Sequence, residues 1–253
     1  MPAQRHLVLI PSFNSGAKLV ETVSEALRFW RPVWVVIDGS TDGSGDLLAA
    51  LMADEADLHV IKRVRNGGKG AAVLEGLRQA AAEGFSHALV MDADGQHPAA
   101  RIPEFMAASA RRLDAMILGV PVFDASAPLL RVRGRRISNA WAHLETLGAG
   151  IGDSLFGFRV YPVAKLRSLM ERTPWMRRFD FDTEAAVRLS WEGVQALNLP
   201  ATVRYLRPEE GGVSHFRYVR DNLLLTWMHM RLMAEFVLRL PMLLLRRLRS
   251  SRH

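Results

Sequence analysis

Residues Ala88-Leu89-Val90-Met91-Asp92-Ala93-Asp94-Gly95-Gln96-His97 decide how this chain is read. Four apolar residues make a short strand, and a polar turn follows at once. In an extended backbone Asp92 and Asp94 fall on the same side. Two carboxylates that close repel each other unless a cation lies between them. Oxygen donors of this kind suit Mg²⁺ or Mn²⁺, often shared with phosphates. Gly95 permits a turn, Gln96 and His97 add polar groups to the same edge, and Pro98 suits the first position of a following helix. The competing reading is an ordinary Asp-rich turn after a strand, with His97 as turn or cap material.

Upstream, strands and helices alternate. Leu7 to Ile10 is a strand stopped by Pro11-Ser12, and Lys18 to Phe29 has helical spacing. Val33 to Ile37 is a β-branched run ended by Asp38-Gly39-Ser40-Thr41-Asp42-Gly43, before a helix from Asp46 to Asp54. Leu58 to Ile61 is a third strand, and Asn66-Gly67-Gly68-Lys69-Gly70 opens a helix from Ala71 to Glu83. This rhythm predicts an α/β fold with a mostly parallel central sheet flanked by helices. Ligands gather outside the carboxyl ends of such strands, where every polar cluster named here lies.

Downstream the pattern is less regular. Asp114 to Gly119 reads as a strand, Val120 to Arg136 as a basic loop, and Ser138 to Leu147 as a helix before a glycine-rich stretch. Thr183 to Trp191 reads as a helix, and two short strands, Gln195 to Leu199 and Thr202 to Leu206, flank Pro200. Glu209 to Phe216 reads as a flexible loop. There is no internal repeat.

The bulk properties narrow the function. The chain has 253 residues, 49% of them apolar, which allows one large core and argues against global disorder. With no cysteine, thiolate catalysis and thiolate zinc sites are excluded. The N-terminus runs straight into a strand, which predicts no signal peptide. The formal net charge is +7, and five arginines in the last fifteen residues (239, 246, 247, 249 and 252) carry most of it, leaving +2 elsewhere. The basic character is a tail rather than a nucleic-acid footprint, so no nucleic-acid partner is expected.

Several residues carry two readings. Asp38 suits a nucleobase or ribose, or it caps a helix. Gly67-Gly68-Lys69-Gly70 allows close backbone approach, with Lys69 meeting a phosphate, or it is a tight turn and helix start. It fits neither GxxxxGK[ST] nor GxGxxG. Asp182 and Glu184, in Phe181-Asp182-Thr183-Glu184, suit a base or an acceptor-orienting role, or a helix cap. Arg207, Ser214, His215, Phe216 and Arg217 suit an anion-binding loop or plain surface. Leu223 to Leu245 approaches the length of a membrane span, but Arg231, Glu235 and Arg239 interrupt it at four-residue intervals. Charges in mid-span are costly, which favours an amphipathic interfacial or docking helix, its Arg-rich end set against anionic lipid.

Taken in order, Pro11-Ser12-Phe13-Asn14, Val36-Ile37-Asp38-Gly39-Ser40-Thr41-Asp42-Gly43, Asn66-Gly67-Gly68-Lys69-Gly70, Asp92-Ala93-Asp94-Gly95-Gln96-His97 and Gly157-Phe158-Arg159 resemble glycosyltransferase family 2. The branch they look most like is the dolichyl- or polyprenyl-phosphate mannosyl- and glucosyltransferases. The resemblance implies the GT-A fold, an inverting reaction and a nucleotide-diphosphate sugar donor. It implies that Asp92, Asp94 and Gln96 hold Mg²⁺ or Mn²⁺, that Asp38 binds the base, and that Pro11, Ser12 and Asn14 lie along the nucleotide. Lys69, Arg207 and His215 join the donor side, with Asp182, Glu184 and Arg159 as the catalytic set. The implied partner is a lipid or lipid-phosphate acceptor, met on the cytoplasmic face; the apolar tail itself suits an anionic membrane surface, domain core or a homo-oligomer contact through the C-terminal helix.

Two positions depart from the family pattern. Ile37 stands where the family has the first Asp of Asp-Asp-Gly-Ser, and Gly119-Val120-Pro121 stands where it has Gly-Ser-Arg. The second departure opens a hydroxylated lipid beside polyprenyl phosphate as acceptor, with Arg131, Arg133, Arg135 or Arg136 as substitute charges. The expected division is a catalytic domain over residues 1–220 and an apolar, basic helical appendage over 221–253. The rival readings are a metal-dependent nucleotidyltransferase and a non-enzymatic membrane- or nucleic-acid-binding module.

Overall fold

The computed structural model describes residues 5–123, 129–203 and 218–250. In chain order the elements are β1 (His6–Ser12), α1 (Gly16–Phe29), β2 (Val33–Asp38), α2 (Ser44–Asp54), β3 (Leu58–Arg63), α3 (Lys69–Ala82) and β4 (His87–Val90). A 3₁₀ turn (Ala99–Arg101) leads into α4 (Ile102–Arg111), followed by β5 (Met116–Val122), α5 (Leu129–Glu145), β6 (Arg159–Pro162), α6 (Val163–Arg172), α7 (Phe181–Trp191), β7 (Ala196–Thr202) and α8 (Tyr218–Ser250).

The seven strands form one sheet in the order β3-β2-β1-β4-β6-β5-β7. Four pairings are parallel, while β6 runs antiparallel to both neighbours, β4 and β5. All seven residues of β1 and all six of β2 are buried, as befits strands covered on both faces. Apolar side chains of α1, α2 and α4 pack on one face, and those of α3, α6 and α7 on the other. Met228, Leu232 and Phe236 of α8 join that second core. This is the GT-A-like arrangement: a largely parallel sheet between helices, closed by a C-terminal helix. The chain crosses to opposite sides of β1 for β2 and β4, so the carboxyl ends of β1 and β4 flank a topological switch point.

Three expectations need correction. The Val120 to Arg136 stretch is not all loop, since β5 runs to Val122 and α5 starts at Leu129. Its arginines and Gly134 hid a helix in which Ser138, Ala142 and Glu145 are buried. The two short strands around Pro200 are one edge strand, β7, with Pro200 opposite Val120. An edge position tolerates the missing N–H. The helix read from Thr183 begins at Phe181, which places Asp182 and Glu184 both in its first turn. Residues 204–206, expected in strand, and the Glu209 to Phe216 loop lie outside the described residues.

Candidate active site

The loops after β1, β2 and β4 and the start of α3 build one surface. After β1, the Asn14 amide donates to Ser40 Oγ at 3.0 Å, and Asn14 Oδ1 accepts from the Thr41 amide at 2.8 Å. The Gly16 amide donates to Asp42 Oδ2 at 2.8 Å. Pro11, Ser12 and Asn14 are thereby held against the loop that follows Asp38. Ser12 is buried and its hydroxyl donates to Ser15.

Asp38 is almost fully buried, and its carboxylate is turned into the protein. It accepts from the Gly67 amide (3.0 Å to Oδ2), the Gly68 amide (2.7 Å) and the Arg63 guanidinium. Asp42, not Asp38, serves the start of α2, accepting from the Ser44 amide at 3.1 Å. Asp38 therefore shapes the Gly67-Gly68 turn. A β-carbon on Gly39 would sit 2.6 Å from the Asn66 amide nitrogen, so these loops touch through bare backbone.

That turn delivers Lys69 to the centre of the site. Its ammonium lies 2.6 Å from Asp92 Oδ1 and 2.6 Å from Asp182 Oδ2. Burial opposes the charge on Lys69, but Asp182 and Asp92 outweigh it and hold the ammonium above the ordinary lysine range. For Asp92 the balance is similar: burial raises it, and Lys69 followed by His97 brings it below the usual carboxylate value. A β-carbon at Gly157 would lie 2.5 Å from Lys69 Nζ and 2.8 Å from Asp92 Oδ2. Only a glycine there leaves room for the ion pair.

On the Asp92–His97 turn, the Asp92 amide donates to His97 Nδ1 at 3.0 Å. In the neutral ring the proton therefore sits on Nε2, 3.6 Å from Asp92 Oδ2. Burial between the edges of Phe156 and Phe158 pushes His97 below its ordinary value. Asp94 Oδ1 accepts from the Gln96 amide at 3.0 Å. Burial and the nearby Asp92 charge push the Asp94 carboxyl up. Among the described residues no group of three or more His, Asp and Glu side chains encloses a cation. Mg²⁺ in phosphate sites takes one or two carboxylates and completes its shell with phosphate and water. Asp92 and Asp94 fit that donor set, and a cation would relieve their repulsion.

The catalytic set separates in space. Asp182 faces Lys69 with Oδ2, while its buried Oδ1 has no hydrogen-bond partner. Glu184 lies two residues further on, about 200° around the helix. It is fully buried and turned to α8, accepting from Arg188 Nε at 2.8 Å and Arg231 at 3.3 Å. Arg159 is fully buried as well. Its guanidinium donates to the carbonyls of Phe156 (2.7 Å), Asp153 (3.0 Å) and Asp182, and to Tyr161 Oη (3.0 Å). It fixes the Asp182 backbone and has no face toward a substrate. Arg207 and His215 lie outside the described residues. Arg135, one of the substitute cations, is already paired with Asp153 at 2.5 Å.

Two contributors were not foreseen. Arg63, at the end of β3, balances Asp38, but nothing in Lys62-Arg63-Val64-Arg65 singles it out. The segment Met176–Arg178 floors the Lys69 loop: the Ala71 amide donates to the Arg177 carbonyl at 3.1 Å, and Gly68 and Gly70 lie tight against its backbone.

Sheet order, a paired-aspartate turn and a lysine-bearing glycine loop at the switch point define a nucleotide-sugar transferase architecture. Residues 7–167 match the model of Glycosyl transferase family 2, and the chain belongs to that family. It is 29% identical over 214 residues to the polyprenol monophosphomannose synthase of Mycolicibacterium smegmatis, covering 79% of this chain and 78% of the relative. The undecaprenyl-phosphate mannosyltransferase of Micrococcus luteus is 28% identical over 213 residues, covering 78% and 83%. Among solved structures, glucosyl-3-phosphoglycerate synthase from Mycobacterium tuberculosis, in complex with Mn²⁺, UDP-glucose and phosphoglyceric acid, superposes with a TM-score of 0.62 at 16% identity, over 94% of this chain and 80% of that one. These likenesses make the chain a distant relative of the polyprenyl-phosphate mannosyltransferases.

Proposed function

We propose that this protein transfers a sugar, with inversion, from a nucleotide-diphosphate sugar to a lipid-type acceptor, either polyprenyl phosphate or a hydroxylated lipid. The observation that carries this reading is Lys69 held between Asp92 and Asp182 beside the Asp92–Asp94 turn. The two mannosyltransferase relatives, one named for polyprenol and the other for undecaprenyl phosphate, support the acceptor class.

Asp92 and Asp94, with Gln96 beside them, would hold Mg²⁺ or Mn²⁺; the cation would offset charge on the leaving diphosphate. The acceptor oxygen forms the new bond to the anomeric carbon as the bond to the diphosphate oxygen breaks. Lys69 supplies fixed positive charge beside that diphosphate. Pro11, Ser12 and Asn14 line the nucleotide side, and Asp38 keeps the glycine turn in shape next to the base. A phosphate acceptor arrives already anionic. A hydroxyl acceptor must lose a proton, and Asp182 Oδ1 is the buried oxygen free to take it. Residues 1–220 would perform the transfer, and 221–253 would hold the enzyme peripherally at the cytoplasmic face of an anionic membrane.

Calorimetric titration of nucleotide sugars in Mg²⁺ or Mn²⁺ tests the donor half. Asp92→Asn and Asp94→Asn should each weaken binding about tenfold or more. Asp182→Asn should leave donor affinity unchanged and cut transfer to a hydroxyl acceptor by about 10²-fold or more. Unchanged donor binding in both Asn variants at 92 and 94 would refute the assignment. Release of pyrophosphate in place of nucleoside diphosphate would instead support the nucleotidyltransferase reading.

A further inference from the structure

A chain of buried polar groups runs from α8 to the loop before β6. His229 on α8 lies with Nδ1 2.8 Å from Glu145 Oε1 and Nε2 3.1 Å from Ser138 Oγ, both partners being on α5. Ser138 Oγ lies 3.1 Å from Ser154 Oγ, which is itself 2.8 Å from Asn139 Oδ1. Glu145 and Ser154 are fully buried, and Ser138 and His229 nearly so. Glu145 Oε2 is buried without a hydrogen-bond partner, so His229 alone answers this carboxylate among the described residues. The order serine, histidine, carboxylate is that of a hydrolase nucleophile and its base.

The protons along this chain run the other way. Both ends of the Asn139 amide are fixed: Nδ2 donates to Asp153 Oδ2 at 3.1 Å, and Oδ1 accepts from the Ser154 backbone amide at 2.8 Å. Oδ1 only accepts, so the single Ser154 hydroxyl proton goes to it. Ser154 Oγ must then accept from Ser138, which uses the single Ser138 hydroxyl proton. Ser138 Oγ must in turn accept from His229, which puts a proton on Nε2. The last proton lies between Nδ1 and Glu145 Oε1, whichever of the two carries it. A nucleophilic serine needs the reverse, a bare Nε2 that takes the serine proton. Ser138 is buried and donates away from the histidine, so it is no nucleophile. The network acts as a brace.

The far end of the brace reaches Asp182. The Ser154 carbonyl accepts from Thr183 Oγ1 at 2.9 Å, next to Asp182 in the first turn of α7. The neighbouring Asp153 carbonyl accepts from Arg159, whose guanidinium also donates to the Asp182 carbonyl. Residues 153–154 thus hold the start of α7 through two separate links, and Asp182 holds Lys69. We propose that His229 is a positioning residue for sugar transfer: through Ser138 and Ser154 it fixes the start of α7, and with it Asp182 and Lys69. This rests on the roles of Asp182 and Lys69 proposed above and makes α8 part of the framework of the reaction.

The test uses the full chain and reads turnover per folded molecule together with the NMR signal of the Lys69 ammonium. Ser138→Ala breaks the brace and leaves the Glu145–His229 pair in place. It should cut turnover about tenfold and shift the Lys69 signal, with nucleotide-sugar affinity within about threefold of wild type. His229→Gln keeps an N–H for Ser138, so its turnover should stay within about threefold of wild type and its Lys69 signal unmoved. The long-range ¹H–¹⁵N spectrum of the wild type should show His229 protonated at Nε2. A ring protonated at Nδ1 alone reverses the chain and overturns the proposal. Ser138→Ala that loses stability but keeps wild-type turnover or the wild-type Lys69 signal overturns it too, as does His229→Gln as impaired as Ser138→Ala. If Ser138→Ala does not fold, Ser154→Ala cuts the same link from the other side and carries the same expectation. A wild type that transfers no sugar would sink the functional reading, and the Lys69 signal alone would then decide whether the brace fixes Asp182.

Discussion

At the scale of single residues, the site depends on what is missing at Gly157. A methyl group there would press on Lys69 Nζ at 2.5 Å. The lysine end is flexible and would swing aside, so Gly157→Ala should leave stability within about 1 kcal/mol of wild type while lowering kcat/KM about 10²-fold, as small misplacements of reacting groups do. Steady-state transfer and a thermal melt, run together, check both halves. Glu184 gives the opposite signature. It is an internal counter-ion for Arg188 and Arg231, so Glu184→Gln should cost about 3 kcal/mol in denaturant unfolding. Turnover per folded molecule should stay within about threefold of wild type. A catalytic base at 184 would show the reverse, with stability kept and turnover lost. From sequence, Asp182 and Glu184 looked like an equivalent pair because spacing alone does not reveal helix phase. Once both sit in the first turn of α7, they point apart. Arg159 misled differently: a conspicuous cation in a motif is spent on backbone carbonyls.

At the scale of elements, the first half of the fold was legible because β1, β2 and β4 are built on unbroken apolar runs, each ended by a polar turn. β6 escaped notice, being four residues long and antiparallel between β4 and β5. Its pairing is set by distant neighbours rather than by any local pattern. α5 was half missed because its exposed apolar stripe and arginines do not look like a buried-face helix. Helix α3 makes a prediction against propensity. Alanine normally improves a helix over glycine by about 1 kcal/mol. At Gly70 a β-carbon would collide with the Met176 carbonyl oxygen, which is backbone and cannot swing away. Gly70→Ala should therefore destabilise the protein by about 1–3 kcal/mol in chemical denaturation, inverting the usual sign. A stabilised variant would mean that Met176–Arg178 does not pack on the α3 start.

At the scale of the whole molecule, acid should loosen the fold through His6. Its ring stacks on His87 at 4.7 Å and shares a hydrogen bond with Ser109, tying β1 and β4 to α4. Burial, then the His87 charge, lowers its pKa to about 4. An unfolded histidine titrates near 6.5. The unfolded chain therefore takes up a proton first, and stability falls as pH drops from about 6.5 toward 4. The expected loss is about 1–2 kcal/mol after allowing for solvent screening, and His6→Gln should flatten this part of the stability profile. An unchanged slope in that variant would remove His6 as the cause.

The central claim concerns chemistry, and mass spectrometry of the product tests it most directly. The full chain is incubated with Mn²⁺ or Mg²⁺, a panel of nucleotide sugars and a lipid extract. The account predicts free nucleoside diphosphate and a lipid heavier by one sugar residue, both absent in Asp92→Asn. Nucleotide sugar left unconsumed across the panel, or consumed with pyrophosphate released and no glycosylated lipid, would contradict it.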